Sequence, residues 1–252
     1  DPVLESWFDP EYQGAYDGVR WYFSRAVRDF EPPFRRRIPE RDLLHIEALY
    51  DGEIHFVDRQ IGTILTRLER LGLRDDTVVA VVSDHGDEFF DHGSIGHRHQ
   101  LHRELTQAVF LLAGPQQALG GQAVTAPVSF VDIAPTLLAA TGAPAWTQPL
   151  GGNRLPGAAS SASGAFSHLF ANVPPHGARH FEAWRDARFT VIRPLAEPAP
   201  AAEALRLVPV QWPDQTPAYY VFDRATDPDE LRPIPPQHEA YRAAVEAMRV
   251  DF

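Results

Sequence analysis

The chain has 252 residues, 44% apolar and 23% charged, enough for a sizeable core in one large domain or in one domain with a small partner. It carries 34 acids against 23 bases, a formal net charge of −11, which argues against nucleic acid or an anionic membrane surface as partner. All 23 bases are arginine and cysteine is absent, which excludes a P-loop, lysine Schiff-base chemistry, disulfides, thiolate metal ligands and cysteine nucleophiles.

The sequence starts at Asp1-Pro2 without Met and with no signal-peptide pattern, as expected of a processed chain or a fragment. Residues 1–38, rich in aromatics, Pro and Arg, read as loop with short helical pieces. From Pro39 the pattern changes. Ile46, Leu49, Tyr50, Ile54, Val57, Ile61, Ile64, Leu65 and Leu68 recur at spacings of three and four, which predicts one apolar helix face. Pro39 suits its first turn and Gly72 its C-terminal cap, for a helix of about 33 residues, with a break allowed at Gly52 or Gly62.

Val78 to Val82 form a continuous apolar run, read as a short strand buried on both faces, as in a parallel sheet. It runs into Ser83-Asp84-His85-Gly86 and a polar loop reaching His102. A second run, Ala108 to Leu112, ends at Gly114-Pro115, and Asp132 to Thr141 predicts a helix closed by Gly142. Helix, strand, loop, strand and helix in this order predict an α/β fold with a parallel sheet. No apolar run approaches the ~18 residues of a membrane-spanning helix. Residues 143–165, rich in Gly, Pro, Ala and Ser, mark a boundary between a first domain, 1–150, and a second, 151–252. Beyond it, runs at 166–170, 188–193 and 219–222 and a final helix from about His238 to Arg249 predict a small antiparallel sheet with a terminal helix.

Five of the eleven histidines (His85, His92, His97, His99 and His102) fall between Asp84 and Glu104, beside Asp87, Glu88 and Asp91. Imidazole and carboxylate without thiolate is a donor set for a divalent ion such as Zn²⁺, Mn²⁺ or, with more carboxylates, Ca²⁺. Asp84 and His85 stand where a strand runs out, and ligands in open α/β sheets bind outside the carboxyl ends of strands. Asp87 and Glu88 read equally as groups orienting His85 or as caps, and His92 as a loop-stabilising hydrogen bonder. His168 and His176 read as possible pocket-lining residues, Arg35 to Arg37 as a solvated charge run, and Arg185 and Arg188 as structural.

Several strings together resemble the sulfatase-like hydrolases of the alkaline phosphatase superfamily. Tyr50-Asp51-Gly52-Glu53-Ile54-His55-Phe56-Val57-Asp58 is similar to the helix before that family's metal strand. Asp76-Thr77-Val78-Val79 with Ser83-Asp84-His85-Gly86-Asp87-Glu88-Phe89 resembles the strand itself. Asp91-His92-Gly93, Gly96-His97-Arg98-His99-Gln100-Leu101 and Glu104-Leu105 resemble the loop that follows. The stretches 128–142 and 220–230, and Phe8 to Gly14, fit further family segments. The resemblance implies an alkaline-phosphatase-like α/β/α sandwich with a mainly parallel sheet, plus the small C-terminal antiparallel sheet and terminal helix. It implies that residues 1–150 are the C-terminal half of the catalytic core and 151–252 a small α+β subdomain. It implies Asp84 and His85 as ligands of a divalent metal ion (Ca, Mn or Zn), and His97 or His99 as the contact to the transferred group or to a second metal.

The implied activity is metal-dependent hydrolysis of sulfate esters, or of related phosphate or phosphonate esters, on a small-molecule or glycan substrate. A catalytically inactive binding domain of the same fold and a phosphoalcohol transferase are the alternatives. The family's nucleophile segment, a Cys- or Ser-x-Pro-x-Arg string or a Ser or Thr after a strand, has no counterpart here. The expected partner is therefore a missing N-terminal half of the same protein. The fragment alone is expected to hold metal poorly and to turn nothing over.

Overall fold

The computed structural model describes residues 7–14, 16, 38–92, 95–97, 100–115, 121, 123–143, 164–172, 178–195 and 219–251. The chain forms two compact units, residues 1–77 with 89–96, and residues 78–88 with 97–252. The sequence stretches 17–37 and 144–163, including Arg35 to Arg37 and the boundary expected near residue 150, lie outside the described residues, as do His99 and His176.

In the first unit, helix α1 runs Glu40–Arg70 as the apolar spacing predicts, unbroken at Gly52 and Gly62. Pro39 is the N-cap with φ −52° and ψ 140°, and its ring pre-sets the entry without wasting an N–H. Glu40 and Asp42 in the first turn and Arg67 and Arg70 in the last complement the helix dipole. Gly72, at φ +68°, takes the left-handed turn that ends the helix. Among the described residues the fully buried ones of this helix, His45, Ile46, Leu49 and Gly52, lie in its first half. Ile54, Val57 and Ile64 stay more than half exposed. The segment around Asp9 and Tyr12 is pinned to the first turns of α1. Arg41 and His45 Nδ1 both bond the Asp9 carboxylate, and the Tyr12 ring stacks on His45 with centroids 3.6 Å apart.

In the second unit, strands β1 (Val79–Val82) and β4 (Phe110–Ala113) pair with Val79 opposite Ala113 and Val82 opposite Phe110. Between them in sequence lie the short strands β2 (Glu88–Phe89) and β3 (Ile95–Gly96), which pair with each other, and the one-turn helix α2 (Arg103–Thr106). The β1–β4 pairing is antiparallel, which corrects the expectation of a parallel pair. A continuous apolar run reports that both faces of a strand are apolar, and carries no information about strand direction. Helix α3 (Ile133–Ala140) follows a capping box in which Ser129 N–H donates to Asp132 Oδ2 at 2.8 Å, and ends at Gly142, φ +66°.

The C-terminal part is a four-stranded antiparallel sheet in the order β5 (Ala165–Asn172), β6 (Ala178–Arg185), β7 (Phe189–Pro194) and β8 (Tyr220–Asp223), with helix α4 (Glu239–Asp251) packed on it. Strand alternation sends neighbours to opposite faces. Trp184, Val191 and Val221 meet Ala244, Val245 and Met248 of α4, while Ala183, Ile192 and Phe222 pack with Leu101 on the other side. Burial pushes the Tyr220 phenol, in this second core, up to about 12. The expected small antiparallel sheet with a terminal helix is therefore present.

Candidate active site

The site is built on the turn that leaves β1. Beyond Val82 the chain stays tied to the neighbouring strand: Ser83 N–H bonds Val109 O at 3.1 Å, and Val109 N–H bonds Ser83 Oγ at 2.8 Å. Gly86 then donates its N–H to Leu105 O at 3.1 Å. A Cβ on Gly86 would stand 2.0 Å from the Glu104 carbonyl oxygen, so the backbone can approach α2 this closely only through glycine. Gly86→Ala is expected to lower stability by about 1–3 kcal/mol through overpacking against that carbonyl. A denaturant midpoint equal to that of the wild type would contradict this close approach.

Four chemistry-bearing side chains gather on the turn. Asp84 Oδ1 accepts the His85 N–H at 3.0 Å, and its Oδ2 lies 3.7 Å from His85 Nε2, with the Asp84 side chain 89% exposed. His85 Nδ1 donates to Gly86 O at 2.9 Å, which fixes the tautomer and leaves the lone pair on Nε2. The His97 ring lies against the His85 ring, centroids 4.1 Å apart. His97 Nδ1 donates to Asp87 Oδ1 at 2.7 Å, and both of these side chains are largely buried.

Of the residues expected here, Asp84, His85 and His97 come together, and His99 lies outside the described residues. Asp87, expected to orient His85 or to cap, instead holds His97. The pairing of β2 with β3 explains this contact, since Asp87 and His97 are the residues that enter and leave that ribbon. One donor atom each from His85, Asp87 and His97 lies within 4.8 Å of the others.

Other described polar groups near the loop are held in contacts within the fold. Glu88 is fully buried and accepts a hydrogen bond from Gln100 Nε2. His92 is buried in the first unit. His102 Nδ1 donates to Glu230 Oε2 at 3.0 Å, Arg185 reaches Glu230 and Leu101 O, and Arg188 pairs with Asp223. The carboxyl of Glu230 is set by opposing influences. Burial alone raises it, but the Arg185 charge, the His102 hydrogen bond and charge, and the Thr190 hydroxyl outweigh burial and hold it far below the usual carboxylate range.

The family model described as Sulfatase matches residues 5–143. Arylsulfatase K of Bos taurus is 31% identical over 108 residues, 43% of this chain and 20% of its own length. Arylsulfatase K of Danio rerio is 28% identical over 163 residues, 65% of this chain and 28% of its own. Among solved structures, the phosphonate monoester hydrolase SpPMH of Silicibacter pomeroyi superposes with a TM-score of 0.67 at 20% identity, covering 99% of this chain and 47% of that one. BT4656, solved in complex with its substrate D-glucosamine-2-N,6-O-disulfate, gives 0.61 at 16% identity, covering 98% and 53%. The chain thus spans about half the length of these structures and less than a third of the curated relatives. The matched family segment takes in more than half of the residues and contains β1, the turn after it and the whole Asp84, His85, Asp87 and His97 group, so the chain belongs to the sulfatase family of the alkaline phosphatase superfamily.

Proposed function

We propose that the chain is the metal-binding C-terminal portion of a hydrolase of sulfate esters, or of related phosphate or phosphonate esters. The observation that carries this reading is the meeting of Asp84, His85 and His97 at the end of β1. Asp84 and His85 present a carboxylate oxygen and an imidazole nitrogen 3.7 Å apart, a spacing that suits two ligands of one divalent ion. When bound, such an ion supplies positive charge opposite the oxygens of the transferred group. Asp87 holds His97 through its Nδ1, which fixes the ring so that it would contact the transferred group. His99, two residues on, is the alternative donor.

The nucleophile, the arginine beside it and further acidic ligands would come from polypeptide outside this chain, its missing N-terminal half. Two observations support this. The chain covers about half of each solved relative. The β1–β4 pair is apolar on both faces and carries Leu111 at 63% and Val82 at 40% exposure, although a two-stranded sheet needs further strands or covering layers for stability. In the complete protein β1 would lie inside a mainly parallel sheet of an α/β/α sandwich. Residues 1–150 would complete that core, and 151–252 would form the small subdomain. A sulfated glycan or a small-molecule ester would be the substrate, in line with the disulfated glucosamine bound by BT4656. No helix among the described residues is long and apolar enough to cross a membrane.

The test is turnover of aryl sulfates and of phosphate and phosphonate esters, with and without added divalent metal, by this chain and by the complete gene product. The chain alone is expected to be inactive and the complete product active. Metal-dependent turnover by the 252 residues alone would overturn the reading. A complete product that binds sulfated ligands without turnover would favour the inactive binding domain.

A further inference from the structure

We propose that one face of α1, running from His55 to Arg70, is a binding surface for a sulfated polysaccharide chain. The inference rests on the reading of the protein as a sulfate-ester hydrolase and deepens it, because it assigns that reaction a polymeric substrate held away from the β1 turn. At about 100° per residue, the side chains of α1 fall on two faces. Ile54, Val57, Ile61, Ile64, Leu65 and Leu68 make the apolar one. Arg59, Thr63, Thr66, Arg67 and Arg70 lie opposite it and are all exposed. Polypeptide that covers the apolar face leaves the arginine face in water.

With Gly62 these five residues line a groove. A Cβ on Gly62 would meet nothing within 4 Å, so the space between the arginines is open. The Thr63 and Thr66 hydroxyls donate back to Arg59 O at 3.0 Å and Gly62 O at 2.9 Å, which leaves each oxygen free to accept from a ligand hydroxyl. Among the described residues no carboxylate pairs with Arg59, Arg67 or Arg70, whereas Arg41, Arg188, Arg193 and Arg232 are each held by an Asp or Glu. The helix dipole accounts for Arg67 and Arg70 in the last turn, but not for Arg59 in mid-helix. Arg59 and Arg70 stand 11 residues apart, about 16 Å along the axis at ~1.5 Å per residue. A single small anion cannot bridge that distance, and a chain with repeated charges can. Guanidinium groups suit the oxygens of a sulfate ester because their planar forks pair with oxyanions through two hydrogen bonds.

The other end of the face suits a sugar. One turn before Arg59, His55 carries Trp7 and Phe8, with ring centroids 5.5 and 6.0 Å away. Trp7 is 60% exposed, so its indole offers an apolar surface to the C–H side of a pyranose ring. The net charge of −11 repels polyanions at long range, so capture is local and sensitive to salt.

The test titrates the 252-residue chain into fluorescently labelled heparin, with desulfated heparin as control, and reads anisotropy. Heparin is expected to bind, with a log–log salt slope of about −2 to −3 from three released counterions. Arg67→Gln is expected to weaken binding roughly threefold, and Arg59→Gln, Arg67→Gln and Arg70→Gln together about 10-fold or more. Gln matches Arg in helix propensity, so α1 persists. Trp7→Ala is expected to weaken binding roughly threefold. Arg242→Gln, an equal loss of charge from α4, is expected to leave it unchanged. Should a variant fail to fold, heparin must still protect Arg59, Arg67 and Arg70 of the wild-type chain from phenylglyoxal and leave Arg242 reactive. Equal affinity for desulfated heparin, tighter binding to single-stranded DNA or to phosphatidylserine vesicles, wild-type affinity in the triple variant or in Trp7→Ala, or protection confined to other arginines would each overturn the proposal. In the complete gene product the triple variant is expected to raise KM for a sulfated polysaccharide about 10-fold, with kcat and aryl sulfate turnover unchanged. If that KM does not move, the arginine face falls and the hydrolase reading stands. If the variants lose heparin while the wild-type product turns over no ester, the surface stands and the hydrolase reading falls.

Discussion

Truncating Glu230 to alanine is expected to cost about 3–5 kcal/mol of stability, because it leaves buried charge without its partner. The Glu230 carboxylate is 1% exposed and receives hydrogen bonds from His102 Nδ1 at 3.0 Å, Arg103 N–H at 3.1 Å and Thr190 Oγ1 at 2.7 Å, with Arg185 at 3.4 Å. Arg185 also donates to Leu101 O. These bonds tie residues 101–103, just beyond the site loop, to β6 and β7 of the C-terminal sheet. The folded carboxyl is held below its ordinary value, so the sign of the pH effect is fixed. Its contribution is complete above the ordinary glutamate value of about 4.3 and is lost as pH falls through the folded value. Thermal melts of the wild type and Glu230→Gln are therefore expected to differ most near neutral pH and to converge in acid. A constant gap across that range would show that the pair gives no pH-dependent stability.

The sequence made α1 legible because its signals agreed: a three-four apolar spacing, Pro39 at the entry and Gly72 at the exit. The C-terminal sheet was legible from the short runs that became β5, β7 and β8. The site turn was legible because a continuous apolar run ended abruptly in Asp84-His85-Gly86. Contacts set by tertiary pairing were not legible. The Asp87–His97 bond depends on the β2–β3 ribbon, and the Glu230–His102 bond joins residues 128 apart in sequence. The antiparallel partner of β1 was missed because hydrophobic pattern encodes faces, not direction. The exposure of Ile54, Val57 and Ile64 was missed for a related reason: periodicity marks a face that wants cover without naming what covers it.

Asp84→Asn in the complete gene product is expected to lower kcat/KM by on the order of 10²-fold or more, the usual scale for losing a group that stabilises transition-state charge. The substitution keeps the shape of the side chain, and the Asn oxygen can still accept the His85 N–H that Asp84 Oδ1 accepts at 3.0 Å. The carboxylate is 89% exposed, so its removal leaves nothing buried unpaired and the melting temperature should stay at the wild-type value. Activity and stability therefore separate in this variant, whereas Gly86→Ala, which forces the backbone away from Glu104, should lower both. Saturating metal divides the remaining loss in two. The part due to weaker ion binding is restored, and the part due to lost negative charge beside the ion is not. An Asp84→Asn enzyme with unchanged kcat/KM at saturating metal would remove Asp84 from the catalytic centre.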